Sequence, residues 1–237
     1  MPSPIPKDLE TVSGLDRFCD ILSRTVSERD LFDPDRPIII TRAPGRLDLM
    51  GGIADYSGSL VLQYPIKEAT FAAIQASADR TIRIESILPQ ESTETLVFEA
   101  SLDDLLAGRK LGSVDDARSF FAGGDNWPAY AVGALVVLAN ERKIAFEHGV
   151  RILIYSEVPQ GKGVSSSAAI EVAVMKAVVE QFGIEIESRE LALLCQKVEN
   201  GIVGAPCGVM DQMASACGVE NSLIELLCQP AELRGTI

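Results

Sequence analysis

The sequence contains a single histidine, His148, and five widely spaced cysteines that form no C-x-x-C pair. One histidine argues against a histidine-based metal cluster and against a Ser-His-Asp triad, because each needs imidazoles at defined places. Cysteines that are odd in number and scattered argue against a disulfide framework and against a zinc site. Reduced thiols in a cytoplasmic protein are therefore expected.

Long apolar runs and an excess of positive charge are also missing from the sequence. The longest apolar run, residues 129–139, is shorter than the about 20 residues that cross a bilayer. Residues 1–10 are polar and rich in proline, unlike a signal peptide. With 21 Lys and Arg against 34 Asp and Glu, the net charge is −13, which disfavours nucleic-acid and membrane-surface partners.

What is present is the composition of a globular protein of 237 residues, 47% of them hydrophobic. Residues 1–36 contain several prolines and a helix predicted over 9–26, and are interpreted as an N-terminal cap. A buried strand is predicted over 37–41, followed by a loop through 43–58. Because the predicted strands and helices do not alternate as βαβ units, the expected class is α+β, with a mixed, largely antiparallel sheet packed with helices.

A segment rich in glycine and serine, between a predicted strand and a predicted long helix, is the clearest candidate site. Its glycines let the backbone approach a ligand closely, and the helix start presents unpaired N–H groups with a partial positive charge. Such a loop suits nucleotide phosphates, although it is not a Walker A motif. The alternative is a plain turn whose serines cap the helix. The candidate phosphate-binding residues are Pro159, Gly161, Lys162, Gly163, Val164, Ser165, Ser166, Ser167 and Ala168.

Residues 159–169 resemble the second motif of the GHMP kinases, the family of galactokinase, homoserine kinase, mevalonate kinase and phosphomevalonate kinase. Residues 43–51, followed by Asp55 and Tyr56, are similar to the galactokinase signature. Residues 207–212 resemble the segment that holds the catalytic aspartate of galactokinases. Three motifs in the family's order identify the sequence as a member of this family.

The resemblance implies the GHMP kinase N-terminal domain fold, which is like that of ribosomal protein S5 domain 2. It assigns residues 37–218 to an ATP- and sugar-binding domain and residues 219–237 to the truncated start of a C-terminal region. It also implies MgATP and a small-molecule sugar as ligands, and leaves the oligomeric state open. Because a further Gly-rich motif of the family's C-terminal half is missing, little or no kinase activity is expected of the 237 residues alone.

The resemblance also implies roles for individual residues. Asp211 matches the catalytic aspartate, which accepts the proton of the attacking sugar hydroxyl, and Arg46 matches the arginine beside it. Both also count among the sugar-binding positions, together with Asp55, which matches a carboxylate that holds ring hydroxyls, and Gly208, where the backbone meets the sugar. An exposed helix carboxylate and a surface arginine are the alternative interpretations of Asp211 and Arg46.

Ser167 and Glu199 match the family's magnesium ligands, and hard oxygen ligands of this kind suit that ion. Glu199 could instead be an ordinary solvated helix residue. Lys162 is either a mobile charge for phosphate or an exposed loop lysine. Trp127 and Tyr130 resemble a Trp-x-x-Tyr stretch near the nucleotide of galactokinases, but aromatic residues three apart on a helix favour a place in the core.

The galactokinase signature carries a Glu and a His where this sequence has Gly52 and Ile53. The resemblance implies that the two missing side chains contact the hydroxymethyl group of the hexose. A buried hydroxyl without partners costs about 1–3 kcal/mol, so a sugar that lacks it is favoured. L-Arabinose has the ring hydroxyls of galactose without that group, and residues 46–63 and 195–200 resemble the L-arabinokinase members of the family.

Three functions stay open at this point. The first is ATP-dependent phosphorylation of the anomeric hydroxyl of L-arabinose, and the second is the same reaction on galactose or another sugar. The third is a non-catalytic regulatory relative that binds sugar and ATP, or a truncated remnant. A tight turn with an apolar side chain is the alternative interpretation of Gly52 and Ile53.

Overall fold

The computed structural model describes residues 12–87, 95–106, 114–122 and 126–237. The strands in these ranges are β1 (Ile39–Met50), β2 (Leu60–Ala76), β3 (Thr81–Ile87), β4 (Thr95–Ser101), β5 (Val150–Ser156), β6 (Ile224–Leu227) and β7 (Glu232–Thr236). The α-helices are α1 (Leu15–Glu28), α2 (Leu102–Leu105), α3 (Val114–Phe121), α4 (Trp127–Glu141), α5 (Ser166–Gln181), α6 (Ser188–Lys197) and α7 (Met210–Cys217). A 3-10 helix, Gly52–Ala54, follows β1, and a π-helix, Val198–Val203, continues α6.

The long strand β2 is the centre of one seven-stranded sheet. It pairs with β1 along one edge, while its first residues pair with β6 and its last residues with β5 along the other. The order is β4-β3-β5-β2-β6-β7, with β1 beside β2. Among the described strands only β3 and β5 run parallel, so the predicted mixed and largely antiparallel sheet is confirmed.

The two faces of the sheet are covered by different helices. Along β2, Ala72 and Ile74 belong to the main core with α4, α5, α6 and α7, whereas Phe71 and Ala73 face α1. This alternation is what the two-residue period of a strand requires when both faces are buried. On the α1 face, Phe18 stacks on Phe71 with ring centroids 5.2 Å apart. None of the described helices is long and apolar enough to cross a membrane.

Some elements differ from the sequence-based predictions. β1 continues to Met50 because it pairs with the start of β2 across a bulge between Pro44 and Arg46, so the predicted loop is much shorter. α1 begins at Leu15, and residues 1–11 of the predicted cap lie outside the described residues. β7 was not predicted, because all five of its residues are exposed and leave no apolar alternation to detect.

The predicted division of the chain at residues 36 and 218 stays a prediction. In the structure, α1 packs on the same sheet as the central strands, and β6 and β7 extend that sheet beside β2. Both flanking segments therefore share a core with the predicted central domain.

Replacing Phe18 with alanine tests whether α1 is an integral layer of the fold. Phe18 is fully buried, and removal of a buried phenylalanine side chain costs about 3–5 kcal/mol of unfolding free energy. We expect a loss of this size in urea denaturation, and less than about 0.5 kcal/mol for Phe120→Ala, whose side chain is half exposed. Equal small effects of both substitutions would show that α1 is only loosely attached.

Candidate functional site

The glycine- and serine-rich loop connects β5 to α5 and takes the left-handed backbone conformation at three alternate positions. Gly161 and Gly163 have φ of 66° and 69°, and Ser165, which precedes α5, has φ of 62°. This conformation is uncommon for serine, so its neighbours hold Ser165 in place. Its hydroxyl oxygen is buried and has no hydrogen-bond partner among the described residues. A buried unpaired hydroxyl beside the N–H groups of a helix start is well suited to bind an anion.

Arg46 on β1 joins this loop to the first turn of α7. Its Nε and Nη2 atoms donate to one oxygen of Asp211, Oδ1, at 3.0 and 2.7 Å. Its Nη1 atom donates to the carbonyl of Gly163 at 2.6 Å, and its backbone N–H donates to the carbonyl of Val164 at 3.1 Å. Arg46 is 7% exposed, but the Asp211 side chain is 27% exposed. The second oxygen of Asp211 therefore remains available to a ligand.

Asp55, which follows the 3-10 helix, holds the start of α7. Its Oδ1 atom accepts hydrogen bonds from the backbone N–H groups of Val209 and Met210 at 3.0 and 3.2 Å. Burial raises the pKa of Asp55, and hydrogen bonds from Cys228 and from the two N–H groups oppose that rise. A Cβ atom at Gly208 would lie 2.1 Å from the Asp55 carboxylate, so only glycine fits there.

Ser167, at the start of α5, lies near Glu199 in the π-helix, which is 8% exposed. Burial raises the pKa of Glu199, and the nearby Ser167 hydroxyl lowers it. That the two residues hold a metal stays a prediction. The amide of Gln212 donates to Glu199 Oε2 at 2.6 Å and to Glu171 Oε2 at 3.2 Å. The described residues contain no group of three or more His, Cys, Asp or Glu side chains arranged for a metal.

A cavity of about 380 Å³ opens beside the phosphate-loop candidate. Trp127 and Tyr130 line it together with Gly161, Ser166 and Ser167. Both aromatic side chains are half-buried rather than fully enclosed, so the favoured interpretation as core residues holds only in part. The lining combines aromatic and aliphatic surface with hydroxyl groups, which is typical of pockets for small molecules.

Gly52 and Ile53 form the exposed start of the 3-10 helix next to Asp55. Gly52 has φ of 56°, and a Cβ atom there would meet no atom within 4 Å. Ile53 is 85% exposed. Asp48 holds this turn, because its carboxylate accepts from the Gly52 N–H at 2.6 Å and from Gln63 Nε2 at 2.8 Å. The turn therefore presents an apolar side chain and no polar one toward solvent.

Two buried polar residues beside these positions were missed in the sequence. Glu171 is 1% exposed and Gln212 is fully buried. Glu171 is an acid within an otherwise apolar part of α5, and Gln212 directly follows Asp211. A lone acid in an apolar helix stretch was the available signal, because such an acid needs a buried partner.

Two families match the sequence, and their matches include the three motifs. GHMP kinases N terminal domain matches residues 129–219, and galactokinase galactose-binding signature matches residues 29–76. The fold agrees with solved structures of the same group. The chain superposes on Lactococcus lactis galactokinase complexed with galactose with a TM-score of 0.73 at 24% identity, covering 92% of this chain and 51% of that one. For Methanococcus jannaschii mevalonate kinase the TM-score is 0.63 at 20% identity, covering 85% and 56%.

Curated relatives are kinases of two sugars. An L-arabinokinase of Arabidopsis thaliana is 46% identical over 241 aligned positions, which cover 90% of this chain and 23% of that protein. A galactokinase of Clostridium perfringens is 34% identical, covering 81% of this chain and 45% of that protein. The chain thus spans between about a quarter and half of the length of these relatives. The chain belongs to the GHMP kinase family, with the galactokinase-type signature in its first motif.

Substitution of Gly208 tests the close approach between the segment before α7 and Asp55. We expect Gly208→Ala to reduce the free energy of unfolding by about 1–3 kcal/mol, because its methyl group would overlap the buried carboxylate. Gly235→Ala is the matched control, since a Cβ atom there makes only ordinary contact and the expected change is within about 0.5 kcal/mol. Chemical denaturation measures both, and equal effects would contradict the proposed overlap.

The buried acid Glu171 gives a second prediction, on the pH dependence of stability. Burial raises its pKa well above the value of about 4.3 expected in the unfolded chain. At pH values between the unfolded-state and folded-state pKa of Glu171, the folded protein holds a proton that the unfolded chain has released. The free energy of unfolding therefore falls as pH rises through this range. Because glutamine neither binds nor releases a proton in this range, Glu171→Gln removes this fall in unfolding free energy. We expect the variant to gain stability over the natural chain as pH rises from about 5 to 8, measured by thermal unfolding. A pH-independent difference would contradict the prediction.

Proposed function

We propose that this chain is the nucleotide- and sugar-binding portion of an enzyme that phosphorylates the anomeric hydroxyl of a sugar with ATP. The observation that carries this proposal is the three-way link of Arg46 to Asp211, Gly163 and Val164. It puts a carboxylate with one available oxygen beside a loop suited to phosphate. That pairing of a proton acceptor with a phosphate site is what phosphoryl transfer to a hydroxyl needs.

Asp211 is the proton acceptor in this proposal. Its Oδ1 atom is taken by the guanidinium, so the sugar hydroxyl would donate to Oδ2 and lose its proton there as it attacks the γ-phosphate. The fixed charge of Arg46 holds the carboxylate through two hydrogen bonds and stabilises negative charge that develops on the transferring group. The hydrogen bonds of Asp55 to the start of α7 fix the direction in which Asp211 points.

ATP would lie along the loop before α5. Its phosphates face the N–H groups and hydroxyls of residues 163–167, where the unpaired Ser165 hydroxyl gains a partner. The 380 Å³ cavity with Trp127 and Tyr130 adjoins Gly161 and is the place for the base. Lys162 is exposed on the same loop and serves as a mobile charge for phosphate.

Ser167 and Glu199 fit a magnesium ion that accompanies the nucleotide. A hydroxyl and a buried carboxylate are hard oxygen donors, and the burial of Glu199 is relieved by a cation. Two protein ligands suffice because magnesium usually takes the remaining ligands from phosphates and water. When bound, the ion supplies positive charge that stabilises the phosphates during transfer.

L-Arabinose is the sugar we propose. The 46% identical relative is an L-arabinokinase, and this chain lacks polar side chains at Gly52 and Ile53, beside the Asp55 that we assign to the ring hydroxyls. A hydroxymethyl group would find no hydrogen-bond partner from this turn. Galactose is the second candidate, because residues 29–76 match the galactose-binding signature as a whole. A non-catalytic sugar- and ATP-binding relative is the third, and retention of Asp211 beside Arg46 disfavours it, because binding needs no proton acceptor.

The chain spans between about a quarter and half of the length of the sugar kinases it matches, and we infer that the part they have in addition completes the cleft. The stretch after Arg46 carries apolar side chains that are at least 46% exposed in this structure. They are Leu47, Leu49, Met50, Ile53 and Tyr56. Large apolar exposure of this kind marks a surface that another segment covers. Little or no kinase activity is therefore expected from the 237 residues alone.

Binding measurements on the 237-residue chain test the proposal first. We expect isothermal titration to detect MgATP, and L-arabinose to bind more tightly than galactose. A chain extended by the second half of the Arabidopsis relative should phosphorylate L-arabinose, and Asp211→Asn should lower kcat of that chain by about 100-fold or more. Asp103→Asn is the control, because the side chain of this surface acid pairs with Arg80, which directly precedes β3. Binding of neither ligand would favour the remnant.

The sugar is tested by restoring the two missing polar side chains. In the extended chain, Gly52→Glu combined with Ile53→His should shift the ratio of kcat/KM toward galactose by about 10-fold or more. Gly52 has open space around it, so the new side chain meets no clash, but its φ of 56° makes a residue with a Cβ atom cost about 1–2 kcal/mol of unfolding free energy. An unchanged ratio would show that these positions do not select the sugar.

A further inference from the structure

A buried amide bridges two acids behind the proposed metal ligands. Gln212 Nε2 lies 2.6 Å from Glu199 Oε2 and 3.2 Å from Glu171 Oε2. Gln212 and Glu171 are almost completely inaccessible to solvent. The three residues come from α7, the π-helix and α5, so one side chain connects three separate elements.

Only a few side chains could take the place of this amide. Glu171 and Glu199 each accept a hydrogen bond at Oε2, so the side chain between them must donate to both. A primary amide supplies two N–H groups on one nitrogen, one for each acid, without adding a charge. An apolar side chain in this position would leave both buried acceptor oxygens without this donor, which costs unfolding free energy.

The amide is also placed to fix one oxygen of Glu199. Oε2 is held by Gln212, and the Ser167 hydroxyl lies near the same carboxylate, at the start of α5. Glu171 lies one helical turn beyond Ser167 on α5, so Gln212 is itself anchored to the helix that carries the other proposed ligand. This arrangement sets the distance and the tilt of the Glu199 carboxylate relative to Ser167.

Gln212 directly follows Asp211 in the first turn of α7. The two side chains leave the helix in directions about 100° apart, one into the buried acid pair and one toward Arg46. The proton acceptor and the proposed metal ligand are thereby tied to the same short helix.

We propose that Gln212 is a positioning residue that holds Glu199, through its amide and the buried anchor Glu171, in the orientation that binds the nucleotide's magnesium ion. This inference rests on the proposed function. It assigns to Gln212 no contact with ATP or sugar. Its effect is on the metal, because partners of a ligating carboxylate typically change metal affinity by about 10–100-fold when they are removed.

The test is the magnesium dependence of ATP binding by the 237-residue chain. Affinity for ATP is measured by isothermal titration with excess Mg²⁺ and again with a chelator, and the ratio of the two is the readout. Gln212→Met keeps the length and apolar stem of the side chain but removes both N–H donors. We expect it to lower the magnesium-dependent gain by about 10-fold or more, with ATP affinity in chelator unchanged. The affinity of the ATP complex for Mn²⁺, measured by titration and electron paramagnetic resonance, should fall in parallel.

Gln75→Met is the matched control for the loss of a buried glutamine. Gln75 is 3% exposed and holds the Asp33 N–H and three carbonyls on the α1 face of the sheet, away from the site. We expect it to lower the melting temperature but to leave the magnesium ratio as in the natural chain. Gln212→Asn serves as the second variant, since it keeps an amide that is one methylene too short to reach both acids. Gln212→Asn should lower the magnesium-dependent gain in ATP affinity as Gln212→Met does.

The outcomes separate the inference from the proposed function. If the natural chain shows no magnesium-dependent gain in ATP affinity, the metal assignment of Ser167 and Glu199 fails. If the natural chain shows the gain and both Gln212 variants keep it, the assignment stands and the positioning role fails. If the variants lose ATP affinity equally with and without magnesium, as a general loss of structure would cause, the positioning role also fails.

Discussion

The ion pair between Arg46 and Asp211 is the interaction on which the other parts of the site depend. Arg46 lies on β1, and its three partners come from distant parts of the chain. Gly163 and Val164 lie in the loop before α5, and Asp211 lies on α7. Arg46 is almost fully buried, so its charge must be compensated inside the protein. The carbonyl of Gly163 and the carboxylate of Asp211 supply this compensation at the same guanidinium. The buried charge of Arg46 therefore brings the loop and α7 together at the site.

A second constraint is the placement of negative charge in a chain with a net charge of −13. Glu171, Glu199, Asp55 and Asp211 all lie within or beside the site, and each accepts at least one hydrogen bond, from the Gln212 amide, from backbone N–H groups or from the guanidinium. In the proposed function, the loop before α5 binds phosphate among these acids through backbone N–H groups, whose partial charge is fixed in position. An acidic protein then offers an anion site without a cluster of lysines, and Glu199 is a ligand for the cation that accompanies the anion.

The sequence predicts the local parts of this structure and not the pairings between distant parts. β3 falls at residues 81–87 as its alternation predicts, and the phosphate-loop candidate follows from glycines and serines between a strand and a helix. The resemblance to GHMP kinases assigned Arg46, Asp55 and Asp211 to one site. No sequence pattern indicated that Asp55 holds the start of α7, which lies more than 150 residues away in the chain. The network of Glu171 and Gln212 was missed for the same reason, because its contacts join three elements and leave no periodic signal.

The length of β2 has a consequence for how the chain is made. Its last residues pair with β5, and its first residues pair with β6, where Leu60 lies opposite Leu227. At a synthesis rate of about 5–20 residues per second, the partner of Leu60 leaves the ribosome roughly 8–30 s after Leu60 itself. During that interval the first residues of β2 have an unpaired edge on that side, beside β1, and unpaired strand edges are sites of wrong association. β6, which is synthesised long after β2, therefore covers an edge in an early part of the sheet.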